Sequence, residues 1–262
     1  EEDENSVICV PISSFEDHTL LALTILLAEN IDDTFFYKRL SEAYLKWNNI
    51  RGIHVHFEPQ GGGGDTTAQS FEAIQSSENR FCLCILDSDQ IAPGYGFGDT
   101  AKGVIRVDAS DKVFCKPVVL NVRTIENLVP SAIYKELFSG DVNKLDAITL
   151  LEKVFSIEHD FYKHIFLKKN IALEKILAES PAKPFRTYWL SFAEKYRNLE
   201  CLSQKVCLQA GRCQCFVTFG FGNKVITLFQ EKYSEQDISE LVDDCLKSEW
   251  SRIGELITCW CL

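Results

Sequence analysis

Apolar and polar positions fall into blocks along this chain, and the blocks predict an α/β core followed by helices. Leu20 to Ala28 is an apolar run ending in Glu29, the pattern of a strand buried on both faces. From Asp33 to Trp47 apolar residues recur at 36, 40, 43, 44 and 47, which is helical spacing with Asp32 or Asp33 as N-cap. Ile53 to Phe57 alternates as a second strand until Gln60-Gly-Gly-Gly-Gly-Asp65 breaks it. Thr66-x-x-Gln69 reads as a capping box opening a helix to about Ser76. Phe81 to Leu86 and Lys116 to Val122 are the third and fourth strands, joined by a loop from Gln90 to Asp111 that is rich in Gly and Asp. The order β-α-β-α-β, loop, β predicts a mostly parallel four-stranded sheet flanked by helices.

Beyond Pro130 the spacing turns helical: Ala132 to Phe138, Ala147 to Phe155, Asp160 to Leu177, Thr187 to Leu199, Lys224 to Tyr233, Ser234 to Leu246 with Ser234-x-x-Asp237 at its start, and Trp250 to Trp260. No repeat or low-complexity linker separates the halves. The expectation is an α/β domain over 1–135 with an α-helical half over 136–262 packed on it.

Carboxylates sit where the predicted strands end. Asp87-Ser-Asp89 follows the third strand, and in strand geometry residues two apart point to one side, roughly 6.5 Å from each other. Open α/β sheets bind ligands beyond the carboxyl ends of their strands, so Glu29 is expected to face this pair from a neighbouring strand. Hard carboxylate oxygens favour Mg²⁺ or Mn²⁺ over zinc. The plainer reading of Asp87 and Asp89 is a solvated strand end that caps the next turn.

Composition narrows the class. No apolar run reaches the ~20 residues that span a bilayer, and the acidic opening Glu-Glu-Asp-Glu-Asn has the wrong charge for a secretory signal, so a cytoplasmic protein without a membrane partner is expected. The eleven cysteines lie mostly inside apolar segments, as reduced core thiols would. Cys201, Cys207, Cys213 and Cys215 supply four thiols, but without the paired CxxC knuckles of a strong zinc motif. A net charge of −11 disfavours unaided high-affinity binding of nucleic acid, yet leaves room for a metal-dependent enzyme whose partner supplies basic surface. Local basic stretches, Lys163 to Lys169 and around Arg186, Lys195 and Arg197, read as solvated helix faces. The chain holds no methionine, which is rare at 262 residues, so local motifs carry more weight than long-range spacings.

With these pieces in order the chain resembles the Toprim domain, the metal-binding α/β module of topoisomerases, primases and OLD-family nucleases. That pattern has a Glu after the first strand, an acid often four residues later, and DxD after the third. Glu29, Asp33, Asp87 and Asp89 stand in those places. Ala28-Glu-Asn-Ile-Asp-Asp-Thr-Phe-Phe-Tyr37, the Gly61 to Gly64 run, Gly98-Asp-Thr-Ala101 and Arg123-Thr-Ile-Glu-Asn-Leu-Val-Pro130 look like the small Toprim effectors of bacterial anti-phage systems, such as the PARIS-type nuclease subunit. The resemblance covers roughly residues 20 to 135 and departs at Asn30, where Toprim proteins have Gly; Asn also tolerates left-handed geometry.

The resemblance implies metal-assisted phosphodiester cleavage of DNA or RNA, with an ABC-type ATPase as partner and homo-oligomers as an option. Mg²⁺ or Mn²⁺ would be held by Glu29, Asp33, Asp87 and Asp89, with Glu126 as an added ligand or a capping acid. Lys102 would neutralise transition-state charge or be an exposed loop lysine. Gly61, Gly62, Gly63 and Gly64 would bring backbone N–H groups to phosphate; without a following Lys-Ser or Lys-Thr they are not a Walker A loop. His54, His56, His159 and His164 read as structural.

Other functions stay open. Val7-Ile-Cys-Val-Pro-Ile and Ile85-Leu-Asp-Ser-Asp also resemble a nucleotide-sugar transferase binding Mn²⁺, which needs neither Glu29-x-x-x-Asp33 nor the Arg123 to Pro130 segment. A haloacid-type phosphatase matches only weakly, because Ile91 stands where Thr or Val is wanted. Asn30 keeps a third option, a degenerate Toprim-like module that only docks on an ATPase.

Overall fold

The computed structural model describes residues 22–109, 113–157, 159–180, 183–204 and 214–261. The chain forms two compact units, each assembled from separate segments: 1–86, 99–119 and 253–262 in the first, 87–98 and 120–252 in the second. Residues 120–135, read with the sheet from the sequence, belong to the second unit.

The first unit is an all-parallel sheet of β1 (Ile25–Ala28), β2 (Glu58–Gly61), β3 (Cys82–Leu86) and β4 (Cys115–Val119) in the order β2-β1-β3-β4. The two central strands are buried at every position, which explains their unbroken apolar sequence: a parallel sheet is covered on both faces. Its flanks are α1 (Ile31–Trp47), α2 (Thr67–Ser77) and α3 (Asp99–Val107).

Several expectations shift here. The alternating stretch 53–57 is not the second strand; the strand is the next four residues, Glu-Pro-Gln-Gly, which pair with Ile25–Ala28. An edge position needs neither apolar alternation nor a full set of N–H donors, so Pro59 is tolerated. His56 N–H instead donates to Cys261 O at 2.8 Å. The fourth strand starts one residue earlier and ends three earlier than its apolar run, and the connection read as a loop contains α3, whose Ala101, Gly103 and Val104 are buried. Gly103 lets α3 approach Ala68 on α2 closely, since an added Cβ would stand 3.3 Å from the Ala68 methyl.

Helix starts differ too. Asn30, not Asp32 or Asp33, caps α1: its side-chain oxygen accepts Asp32 N–H at 3.4 Å, and Asp33 Oδ2 accepts Asn30 N–H at 3.2 Å. We expect Asn30→Ala to cost about 1 kcal/mol and Asn30→Gly only a few tenths, read as shifts in the urea midpoint. Thr66 and Gln69 form no capping box; Thr66 Oγ1 donates to Gly62 O at 2.6 Å, and a 3₁₀ turn at Gly64–Thr66 leads into α2.

The first unit is completed by the end of α11 (Asp244–Trp260), a helix that starts six residues before the predicted Trp250. Gly254 allows this segment against α1: a Cβ there would lie 2.5 Å from Leu40 O and 2.7 Å from Tyr44 Cβ. Thr24 Oγ1 donates to Trp260 O at 2.5 Å.

The second unit is mainly helical: α4 (Ser131–Phe138), α5 (Leu145–Ile157), α6 (His159–Tyr162), α7 (Leu173–Ala178), α8 (Pro184–Tyr196), α9 (Glu200–Gln204), α10 (Val225–Tyr233) and the first turns of α11. The single helix expected over 160–177 is broken after Tyr162 by a loop and by an antiparallel ribbon of β5 (Ile171–Ala172) and β6 (Phe216–Thr218). Nor is 234–246 one helix: Asp237 Oδ1 accepts Ser239 N–H at 3.0 Å, starting a 3₁₀ turn at Ser239–Leu241. Trp189, Tyr162, Phe192, Phe229 and Trp250 are buried here; Trp250 Nε1 donates to Leu128 O and Trp189 Nε1 to Ile91 O, both at 2.9 Å. Among the described residues no helix is long and apolar enough to cross a membrane.

Burial holds the proton on two thiols. It pushes Cys245 in the second unit up to about 11 and Cys261 in the first up to about 12, against an ordinary 9.0. The folded chain therefore binds these protons more tightly than the unfolded chain. Their stabilisation is complete below about pH 9 and is lost as the pH climbs towards 11 and 12. We expect the melting temperature to decline across that window, with a shallower decline in Cys261→Ala.

Candidate functional site

In the second unit, side chains far apart in sequence meet around one lysine. Asp87, the residue next after β3, is buried; its Oδ1 accepts Ile125 N–H at 2.8 Å and its Oδ2 lies 3.8 Å from Lys168 Nζ. Glu126 is only 2% exposed, and its Oε1 lies 3.3 Å from the same ammonium. Its Oε2 is buried without a hydrogen-bond partner among the described residues. A buried carboxylate in this state demands positive charge, because desolvation is repaid only by pairing and hydrogen bonds.

The backbone around these acids is tightly specified. A 3₁₀ turn, Ile125–Leu128, begins at Thr124, whose N–H and Oγ1 both donate to Asn127 Oδ1. Asn127 Nδ2 donates in turn to Tyr162 O at 2.9 Å and Ile165 O at 3.1 Å, fixing the start of the lysine-bearing loop. Phe221 N–H to Leu167 O at 2.7 Å and Gly220 N–H to Asn170 Oδ1 at 2.8 Å hold the rest of that loop. Gly220 is required for the approach: a Cβ would sit 2.5 Å from Lys169 N.

Asp89 departs from strand geometry. β3 ends at Leu86 and Asp89 has φ +48°, so strand alternation does not set its spacing from Asp87. Its N–H donates to Arg123 O at 2.8 Å, and its side chain packs on Gly98, where a Cβ would meet Asp89 Cβ at 2.5 Å. Left-handed geometry at a non-glycine residue persists where the surroundings impose it, as these contacts do. Burial pulls the Arg123 guanidinium down to about 10 while the Asp89 charge opposes that shift, so Arg123 stays cationic near neutral pH. It packs over Phe166 at 4.2 Å. His164 is buried, with Nδ1 2.9 Å from Gln90 O, in keeping with a structural role.

The remaining candidates lie in the first unit. Glu29 directly follows β1, and its carbonyl accepts Gly63 N–H at 3.0 Å and Gly64 N–H at 3.3 Å, while Ala28 O accepts Gly62 N–H at 2.7 Å. Those three glycine amides are thus committed to the end of β1 and do not present themselves to a phosphate. Gly63 and Gly64, at φ +78° and +64°, make the turn, and Gly61 is the last residue of β2. Burial, with the Glu29 charge adding to it, raises the Cys84 thiol far above its ordinary range. Asn30 is extended, at φ −122°, so glycine is not required there. Asp33 serves the α1 cap. Lys102 is exposed on α3, not in a loop, 4.0 Å from Asp99. His54 and His56 are exposed on the surface.

Among the described residues no group of three or more His, Cys, Asp or Glu side chains is assembled to hold a metal. Cys201 lies in α9 and Cys215 just before β6, while Cys207 and Cys213 lie outside the described residues, as do Val7 to Ile12 and the side chain of His159. Sequence reasoning missed Lys168, whose signal was only the basic run Lys163 to Lys169; that run lies in a loop, with Lys163 and Lys169 exposed and Lys168 half-buried. No protein-family model matches the chain, and no curated protein or solved structure matches it.

Proposed function

We propose that this chain is a divalent-metal-dependent nuclease that hydrolyses phosphodiester bonds in nucleic acid, as the toxic effector of an anti-phage system with an ABC-type ATPase partner. The observation that carries the reading is the pair of buried carboxylates, Asp87 and Glu126, gathered at Lys168 immediately after a central parallel strand. The donor set is hard oxygen, and Glu126 Oε2 has no hydrogen-bond partner among the described residues, which suits Mg²⁺ or Mn²⁺. Asp87, Asp89 and Glu126 are the second unit's candidate ligands; Glu29 and Asp33 are those the Toprim resemblance assigns in the first. A bound ion supplies Lewis-acid polarisation of the phosphate and a more acidic water. The chain's own contribution is orientation. Ile125 N–H fixes one oxygen of Asp87, and the Thr124–Asn127 turn fixes Glu126. Lys168 and Arg123 add positive charge beside the acids, which favours an anionic substrate despite the net charge of −11.

The test is incubation with plasmid DNA and total tRNA in Mg²⁺ or Mn²⁺, with and without an ATPase encoded nearby. Cleavage abolished by Glu29→Ala or Asp87→Ala supports the reading. Hydrolysis of sugar nucleotides with intact nucleic acid overturns it.

A further inference from the structure

We infer that Lys168 is an internal competitor of the metal: its ammonium neutralises Asp87 and Glu126 while no divalent ion is bound, and the ion displaces it. This rests on the proposed metal-dependent reading and adds a control element to it. Three observations carry it. Lys168 Nζ is 3.3 Å from Glu126 Oε1 and 3.8 Å from Asp87 Oδ2, so one cation is shared by two acids that are 2% and 8% exposed. Glu126 keeps Oε2 buried without a hydrogen-bond partner among the described residues, so the lysine leaves coordinating capacity unused. The loop carrying Lys168 is pinned at Leu167 and Asn170, while the lysine itself is half-buried and so has a route to solvent.

The chemistry follows from charge. A divalent ion approaching Glu126 meets an ammonium at contact distance, and like charges that close repel strongly where water is largely excluded. The flexible, strongly hydrated lysine head relieves this by swinging to water, which the planar guanidinium of arginine does less readily. The metal-free protein thus keeps its buried acids paired, and the loaded protein exchanges one cation for another. Metal affinity is set below what the carboxylates alone would give.

The experiment is Mn²⁺ titration of the full chain by calorimetry, comparing wild type with Lys168→Met and Lys168→Arg. Lys168→Met is expected to bind Mn²⁺ about tenfold more tightly than wild type, and its melting temperature to rise more on Mn²⁺ addition. Lys168→Arg is expected to bind no more tightly than wild type. Should Lys168→Met fail to fold, the wild type still decides: the rate of reductive dimethylation of Lys168, read by mass spectrometry against Lys163 and Lys169, rises with Mg²⁺ if the lysine is displaced. Equal Mn²⁺ affinity in wild type and Lys168→Met, or a Mg²⁺-independent labelling rate, overturns the competitor role alone. Absence of Mn²⁺ binding in every variant overturns the metal reading together with it.

Discussion

Asp87→Asn is expected to end nucleic-acid cleavage while leaving the fold standing. The amide keeps an oxygen for Ile125 N–H, whose 2.8 Å bond to Oδ1 orients the side chain, but it removes the charge that faces Lys168. Loss on the order of a thousandfold in cleavage rate, about 4 kcal/mol of transition-state stabilisation, is the expected scale for deleting a central electrostatic group. Asp87→Ala adds a structural penalty: a buried backbone donor loses its acceptor, at about 1–3 kcal/mol. Circular dichroism and urea unfolding beside the cleavage assay separate the two effects. An Asp87→Asn protein that folds and still cleaves at the wild-type rate would remove Asp87 from the chemistry.

The largest stability effect away from the acids is expected at Gly254. Glycine to alanine inside a helix ordinarily stabilises by up to about 1 kcal/mol. Here the sign reverses, because the added methyl would meet backbone oxygen of Leu40 at 2.5 Å and Tyr44 Cβ at 2.7 Å, and neither is the loose end of a side chain. Overpacking at such a contact costs about 1–3 kcal/mol. The net expectation for Gly254→Ala is a loss of about 2 kcal/mol, and Gly254→Val loses more. Thermal melting measures it; an unchanged or raised midpoint would mean that α11 slides to accommodate the methyl.

Parts of this fold announce themselves because their physics is local. β1 and β3 lie between neighbours in a covered parallel sheet, so nearly every residue in them must be apolar, and the runs can be read directly. β2 cannot: an edge strand made of Glu-Pro-Gln-Gly carries no pattern, and its place is set by register with β1. α3 was hidden by its glycine and aspartate lead-in, although Ala101 and Val104 show helical spacing once the boundary is known.

The candidate site divides the same way. Asp87 is legible from the strand that precedes it and Glu126 from the segment around Arg123, but the lysine that joins them depends on a loop held by Asn127, Phe221 and Gly220. Asp33 and the glycines fit a motif, yet the structure gives them cap and turn duties that a spacing rule does not see.

The interleaving of the two units bears on synthesis. The sheet's unit is finished by residues 253–262, through Trp260 O to Thr24 and Cys261 O to His56 N–H, but the ribosome makes 120–252 before it reaches them. At 5–20 residues per second that interval is roughly 7–27 s. Throughout it the nascent unit lacks the end of α11, so the face of α1 around Leu40 and Tyr44, against which Gly254 packs, stays open to chaperones.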